Sequence, residues 1–163
     1  MSLSPLWTWL ESLPISIYIA GGWGFPLCES IHVLASTFVV GSILMVDLRL
    51  LGLAGRRHPV SRITREIVPW TLGACAVSVL AGFGMFMGQA NHYMDNRAFQ
   101  VKLALLLLAA MNMGIFHLHT SRGIARWDTA GRPSAAARLG GACSLLLWIG
   151  IMLSARWIGH LTR

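Results

Sequence analysis

Two ionisable side chains stand close together inside an apolar stretch in the first third of the sequence. Glu29 and His32 are three positions apart, so in a helix they lie on the same face. An ionisable residue at the centre of a membrane span costs roughly 2.5–3.5 kcal/mol on insertion scales. Each such group therefore needs a partner, a cavity or a function.

A second group of candidate ligands follows the next apolar stretch. Met87 and His92 stand at its end, and His160 ends the last apolar stretch. Because consecutive spans run in opposite directions, we expect His92 and Met87 at nearly the depth of His32. The pattern predicts a haem or metal site at this end, with His32 as one axial ligand and His92, His160 or Met87 as the other.

Glycines in the second stretch favour the haem interpretation. Gly84 and Gly88 share a helical face with His92 and would leave room for a porphyrin. The alternative is structural: His32 pairs with Glu29 or with a backbone carbonyl, and the other histidines only lie at the membrane interface.

Two further histidines stand at the opposite end of the third apolar stretch. His117 and His119 point to different faces of a helix, and His117 is expected to face inward, with His119 facing lipid or the interface. His117 and His32 would differ in depth by roughly 20 Å, so they cannot share one haem. A second haem would need another partner, for which only His58 is available on that side.

Methionine side chains make a copper site an alternative to haem. Thioethers and imidazoles suit Cu(I), and the densest cluster is Met85, Met87, His92 and Met94. Methionine also fills irregular gaps in apolar cores, so the cluster alone does not distinguish a copper site from ordinary packing. Nucleotide-binding loops, metalloprotease motifs and nucleophile elbows are absent, which argues against hydrolysis.

The remaining polar residues within apolar stretches have simpler interpretations. Lys102 is expected to snorkel, to meet a haem propionate, or to pair with Glu29. Asp47 and Arg49 are expected to form an ion pair with a neighbouring helix or to snorkel, and Asn112 to form a hydrogen bond across helices.

The elements that position these residues are four apolar spans. The chain of 163 residues is 55% hydrophobic and only 12% charged, with a mean hydropathy of +0.63. We predict an all-α polytopic membrane protein, a four-transmembrane-helix up-down bundle in which consecutive spans are antiparallel neighbours. The predicted spans are about 28–53, 66–90, 99–119 and 135–158. Residues 1–27 form an interfacial segment, because Glu11 and Pro14 interrupt its scattered aromatic residues.

The net charge of +7 is explained by the topology of the chain in a membrane rather than by nucleic-acid binding. Nine arginines flank two of the loops: Arg49, Arg56, Arg57, Arg62, Arg65, Arg122, Arg126, Arg132 and Arg138. By the positive-inside rule these loops are cytoplasmic. Both termini and the 90–98 loop are then periplasmic, and the protein lies in a bacterial inner membrane.

Three blocks of the sequence resemble a group of uncharacterised small bacterial membrane proteins. They are Glu29-Ser-Ile-His32-Val-Leu, the run from Val40 to Gly52, and Phe99-Gln-Val-Lys102-Leu with Asn112 and Phe116-His117. The sequence also has a histidine early in its first span, then Pro69-Trp70-Thr71, and then a lysine and a histidine in its third span. This order is distantly similar to that in CopD-type copper-resistance proteins and HemJ-type protoporphyrinogen oxidases. That resemblance implies a four-helix core and a b-type haem, with His32, Lys102 and His117 at the matching positions. The long N-terminal segment and the Met-rich second span depart from the HemJ pattern.

The sequence thus favours a haem-b-binding membrane protein that passes electrons between a periplasmic redox partner and the quinone pool or a partner subunit. Copper handling and a cofactor-free structural subunit are the alternatives. The lipid bilayer is the implied environment, and assembly into a homo-oligomer or a larger complex is left open.

Overall fold

The computed structural model describes residues 4–54, 60–120 and 133–160. Within these ranges nearly every residue is helical and no strand occurs. Four helices are long and apolar enough to cross a membrane, over Gly24–Leu50, Thr64–Gly88, Arg97–Leu118 and Ala135–Ile158. The predicted all-α fold with four spans is confirmed, and the chain is a multi-pass membrane protein.

Two short helices precede the first span, α1 (Ser4–Glu11) and α2 (Pro14–Ala20). The chain turns at Gly22, whose φ of 67° favours glycine. Gly24 then lies so close to α2 that an added Cβ would be 2.7 Å from the Cα of Ile19. This N-terminal segment folds back over the following helices and does not form a fifth span.

The local sequence explains where several of the spans begin and end. They are α3 (Gly24–Leu50), α4 (Val60–Gly88), α6 (Arg97–Ile115, continued by a π-helical turn over Phe116–Thr120) and α7 (Ala135–Ile158), with the short α5 (Ala90–Asp95) between α4 and α6. The first span begins at Gly24 rather than at Cys28, because Pro26 is tolerated in the first turn of a helix. The side chain of Asn96 accepts hydrogen bonds from the backbone N–H groups of Ala98 and Phe99, which caps α6.

The bundle has two ends, named here by what lies on them. The α5 end carries α1, α2 and α5, and the loop end lies where α3 and α6 stop and α4 and α7 start. At the α5 end, the Glu11 carboxylate accepts hydrogen bonds from the Asn91 backbone N–H at 2.8 Å and its side-chain amide at 2.9 Å. The Asn96 side chain also donates to the carbonyl of Ile158 at 3.0 Å, which ties α6 to α7.

The packing order of the spans is α4, α3, α7, α6. The pairs α3 with α4 and α6 with α7 pack along their lengths, and α3 also packs on α7. In contrast, the backbones of α4 and α6 scarcely approach each other within 8 Å. The predicted up-down bundle is confirmed, but α4 and α6 pack less closely than the other consecutive spans and meet through side chains. We call the space between these two helices the α4–α6 gap.

Small residues bring α3 and α7 together near the loop end. A Cβ added to Gly141 would lie 3.1 Å from the Cβ of Leu50 and 3.3 Å from the carbonyl oxygen of Asp47. Asp47 is buried here, next to the Ser144 side chain. Arg49 is also buried, at 2% exposure, so the alternative that it snorkels to the surface is wrong. Near the same end, Asn112 forms the expected bond across helices, to the Gly140 carbonyl at 3.1 Å.

The outer surface of the bundle is apolar on every span. Leu34, Leu80, Leu107 and Leu146 are between 63% and 72% exposed, one on each long helix. Such a surface requires an apolar solvent, which a lipid bilayer provides.

Candidate functional site

His32 lies between α3 and α4, about two turns into α3. Its Nδ1 is 2.7 Å from the backbone carbonyl oxygen of Ser78 and 3.2 Å from the Ser78 hydroxyl. A carbonyl oxygen only accepts, so Nδ1 carries the hydrogen and donates it. In the neutral ring Nε2 then has a free lone pair, and no hydrogen bond to Nε2 is found among the described residues.

A glycine makes room for this ring. A Cβ added to Gly82 would be 3.0 Å from both Cε1 and Nδ1 of His32. Ser78 and Gly82 are four positions apart and so form one face of α4. The imidazole packs flat against this face, which fixes its position as well as its tautomer.

Hydroxyl pairs continue the polar contact along the same interface. The hydroxyls of Ser36 and Ser78 are 2.8 Å apart, and the Thr71 hydroxyl donates to that of Ser42 at 2.8 Å. Bonds of this kind hold transmembrane helices in register and contribute about 1 kcal/mol each. They make the His32 side of the site rigid.

Lys102 lies across the bundle on α6. It is half-buried, and its charge is close enough to the His32 ring for the two groups to interact. The described residues contain no salt bridge or side-chain hydrogen bond from Lys102. A cation within a span and without a carboxylate partner is suited to binding an anionic group of a ligand.

Glu29 does not take the role expected of it. Its side chain is exposed, and the Ser78 carbonyl occupies the His32 nitrogen with which Glu29 was expected to pair. Neither does Glu29 pair with Lys102 in the described part of the chain. Glu29 lies instead near Tyr93 of α5, where burial and the Glu29 carboxylate together raise the pKa of the phenol.

Aromatic rings bridge the α4–α6 gap at the α5 end. Phe86 of α4 stacks on Phe99 of α6 with ring centroids 5.8 Å apart, and Tyr93 contacts Phe99 at 5.1 Å. Trp7 of α1 packs edge-on against Phe86 at 5.7 Å. We call these four residues the aromatic roof. Lys102 follows Phe99 by three positions, which places it one turn beneath the roof. The sequence gives no sign of the roof, because it joins four separate elements.

The predicted common depth of His32, Met87 and His92 is wrong. His32 is level with Ser78 and Gly82, and Met87 lies roughly 7 Å further toward the α5 end. His92 is beyond the end of α4, exposed on the separate helix α5. Two boundaries contribute to the error: α3 begins at Gly24, which places His32 one turn deeper than a start at Cys28 would, and α4 ends at Gly88, before His92.

The space beside Gly84 and Gly88 is filled by the chain itself. A Cβ on Gly84 would meet the Cys28 sulfur at 3.3 Å and Ile19 at 3.5 Å, and one on Gly88 would meet Ala20 at 3.4 Å. The two glycines therefore allow α2 and the start of α3 to pack on α4. They leave no room for a macrocycle at their own positions.

The remaining histidines lie apart from His32. His160 is exposed at the α5 end and lines a cavity of about 190 Å³ with Arg156 and Trp157. His117 is exposed near the loop end, where Nδ1 donates to the Met113 carbonyl of its own helix at 3.1 Å. It lies roughly 18 Å deeper than His32, in agreement with the expectation that the two cannot share a haem. His58 and the His119 side chain lie outside the described residues.

The side chains of the copper cluster proposed from the sequence do not lie at one depth in the bundle. Met85, Met87 and Met94 are half-buried, but they belong to two helices, and His92 is exposed. Over the described ranges, no group of three or more His, Cys, Asp or Glu side chains could hold a metal ion. Among the candidate residues in the described part of the chain, His32 and Lys102 are close enough for their charges to interact, and Lys102 lies one turn beneath the roof.

A family model covers nearly the whole chain. The model described as "Family of unknown function (DUF6644)" matches residues 9–161. The chain belongs to this family. No curated protein and no solved structure matches it, and no link to CopD or HemJ was found. The family match includes the end of α1 and the whole of α2, so α2, which packs on α4, is part of the family's common unit.

Proposed function

We propose that this protein binds haem b in the α4–α6 gap, with the Nε2 atom of His32 as an axial ligand. The observation that carries the proposal is the 2.7 Å hydrogen bond from Nδ1 of His32 to the Ser78 carbonyl. A histidine that ligates iron or another metal usually donates its other ring N–H to a carbonyl or carboxylate. His32 has this arrangement, and its ring is held rigidly against Gly82.

The charge beside His32 suits a haem. The proposal puts the ligand between α4 and α6, whose backbones pack less closely than those of α3 and α4. Lys102 is a free cation in the described part of the chain, suited to a propionate. The aromatic roof offers ring surfaces at the α5 end of the same space. In this arrangement the chain holds the ligand, orients the imidazole and excludes water.

A bound haem would supply reversible one-electron chemistry within the membrane. We therefore propose an electron-transfer role between a periplasmic redox protein and either the quinone pool or a partner subunit of an inner-membrane complex. The periplasmic side is the α5 end, because the arginine-rich loops lie at the other end. His32 is nearer to the α5 end, which favours electron entry from that side.

The test is a reduced-minus-oxidised absorbance spectrum of the purified protein and of three variants. We expect a Soret band and a reduced α-band in the wild type and their loss in His32→Ala. His117→Ala is a control for histidine removal in general. Ser78→Ala is the matched control, because it deletes the hydroxyl but keeps the carbonyl that orients His32, so it should retain haem.

Each alternative gives its own result in the same experiment. Copper in a metal analysis, lost on replacement of Met85 and His92, would favour copper handling. A colourless and metal-free protein would favour a structural subunit, in which His32 and the serines only join α3 to α4. A full Soret band in His32→Ala, together with its loss in His117→Ala, would place the site at the loop end and refute the proposal.

A further inference from the structure

We propose that the cavity at the end of α7 binds the phosphate group of an anionic phospholipid from the bilayer leaflet at the α5 end. Arg156, Trp157 and His160 line this cavity, which has a volume of about 190 Å³. The inference is independent of a haem, because none of these three residues belongs to the proposed haem site.

Two hydrogen-bond donors border the cavity. Arg156 and His160 are four positions apart, so they lie on one face at the end of α7. The His160 backbone N–H donates to the Trp157 carbonyl at 3.0 Å, which continues the turn beyond the last residue of the helix. The planar guanidinium group of arginine matches two phosphate oxygens, and an imidazole has an N–H donor in either charge state. The pair is therefore suited to hold one phosphate group.

The charge around the cavity is complementary to an anion. Arg156 is exposed, and no salt bridge joins it to a carboxylate in the described ranges. The hydrogen bond from Asn96 to the Ile158 carbonyl brings Arg97 beside the end of α7 as a second cation. Asp95 is the acidic residue next to this turn, and it too is without a salt bridge among the residues described. Basic pockets of this kind between transmembrane helices bind the head groups of anionic lipids.

The position of the cavity favours a lipid over a free phosphate ion. Trp157 is the last residue but one of the span and is 57% exposed, and tryptophan prefers the level of the head groups. Leu153 and Ile149 precede it at intervals of four residues and are 59% and 49% exposed. These three side chains form an apolar strip that runs from the cavity into the hydrocarbon region. An acyl chain can lie along this strip while its phosphate binds Arg156, whereas a free ion gains nothing from it.

The experiment follows the indole N–H resonance of Trp157 in the full-length protein, held in uncharged maltoside micelles. Trp157→Phe assigns the resonance. We expect a saturable shift on titration with short-chain phosphatidylglycerol and no such shift with phosphatidylcholine, whose choline cation opposes Arg156, or with inorganic phosphate. Arg156→Gln should weaken the binding of phosphatidylglycerol about fivefold, the loss expected for one basic residue at an anionic lipid surface.

Arg138→Gln is the matched control, because it removes the same charge from the opposite end of the same helix. It should bind phosphatidylglycerol at this cavity as the wild type does. An equal response to phosphatidylcholine, or unchanged binding in Arg156→Gln, would overturn the inference. The same shift with inorganic phosphate alone would show an anion site that does not require a lipid, which also contradicts it.

Discussion

Gly82 offers a direct test of how His32 is held, independent of any cofactor. In Gly82→Ala the new Cβ would lie 3.0 Å from two atoms of the imidazole, which is tighter than an ordinary van der Waals contact. The ring would have to move back by a few tenths of an ångström. Because Nδ1 is one of the two atoms, this movement lengthens its 2.7 Å hydrogen bond to Ser78.

The expected loss of stability follows from these contacts. Overpacking of a well-packed site costs about 1–3 kcal/mol, and a weakened hydrogen bond costs up to about 1.5 kcal/mol. The gain in helix propensity from Gly to Ala, about 1 kcal/mol, opposes this loss. We expect Gly82→Ala to unfold with a free energy about 1–3 kcal/mol below that of a matched Gly→Ala variant of the same helix.

Gly73→Ala is the matched variant, because nothing lies within 4 Å of a Cβ at Gly73. Unfolding in mixed detergent and denaturing surfactant, followed by circular dichroism, measures both free energies. The Nδ1–H resonance of His32 should also shift in Gly82→Ala and stay unchanged in Gly73→Ala. Equal stability of the two variants within about 0.5 kcal/mol, with an unchanged resonance, would refute the described packing of His32.

Two further predictions concern the ends of the bundle. Reporter fusions after Asn96 should read periplasmic and those after Arg132 cytoplasmic, and the reverse pattern would contradict the proposed orientation. The Tyr93 phenol should ionise above its ordinary pKa, because burial and the Glu29 carboxylate disfavour the phenolate. Since the unfolded chain then loses this proton first, the contribution of Tyr93 to stability falls as the pH rises above about 10. Ultraviolet titration of a variant without the other tyrosine measures this pKa, and Glu29→Gln should lower it; an unchanged value would show that the carboxylate has no effect.

The apolar composition of the spans was sufficient to predict their number and their approximate bounds. A backbone inside a bilayer has to satisfy its own hydrogen bonds, so each long apolar stretch can only be a helix. The same argument identified His32, since an ionisable group within such a stretch is costly. The structural alternative, that His32 pairs with a backbone carbonyl, agrees with its bond to Ser78, but the sequence could not say which carbonyl, because every residue possesses one.

The depth of the candidate ligands was harder to predict from the sequence. The first span was predicted from about residue 28, although the helix begins at Gly24, and this places His32 one turn deeper than expected. The second span also ends before His92, which lies on α5, so His32 faces Ser78 and Gly82 instead of Met87 and His92. Gly84 and Gly88 were expected to leave room for a porphyrin, but α2 and the start of α3 pack there instead.

The sequence alone determined that this protein is a four-span helical membrane protein with a histidine and a lysine within its apolar spans, because hydropathy and residue type depend only on composition and spacing. The tertiary structure decided which helices pack together. Short connections bring α4 and α6 near each other, but the aromatic roof and the preferred pairing of α3 with α4 and α6 with α7 keep their backbones apart. Side-chain volumes on several elements set that separation jointly, so no local pattern encodes it.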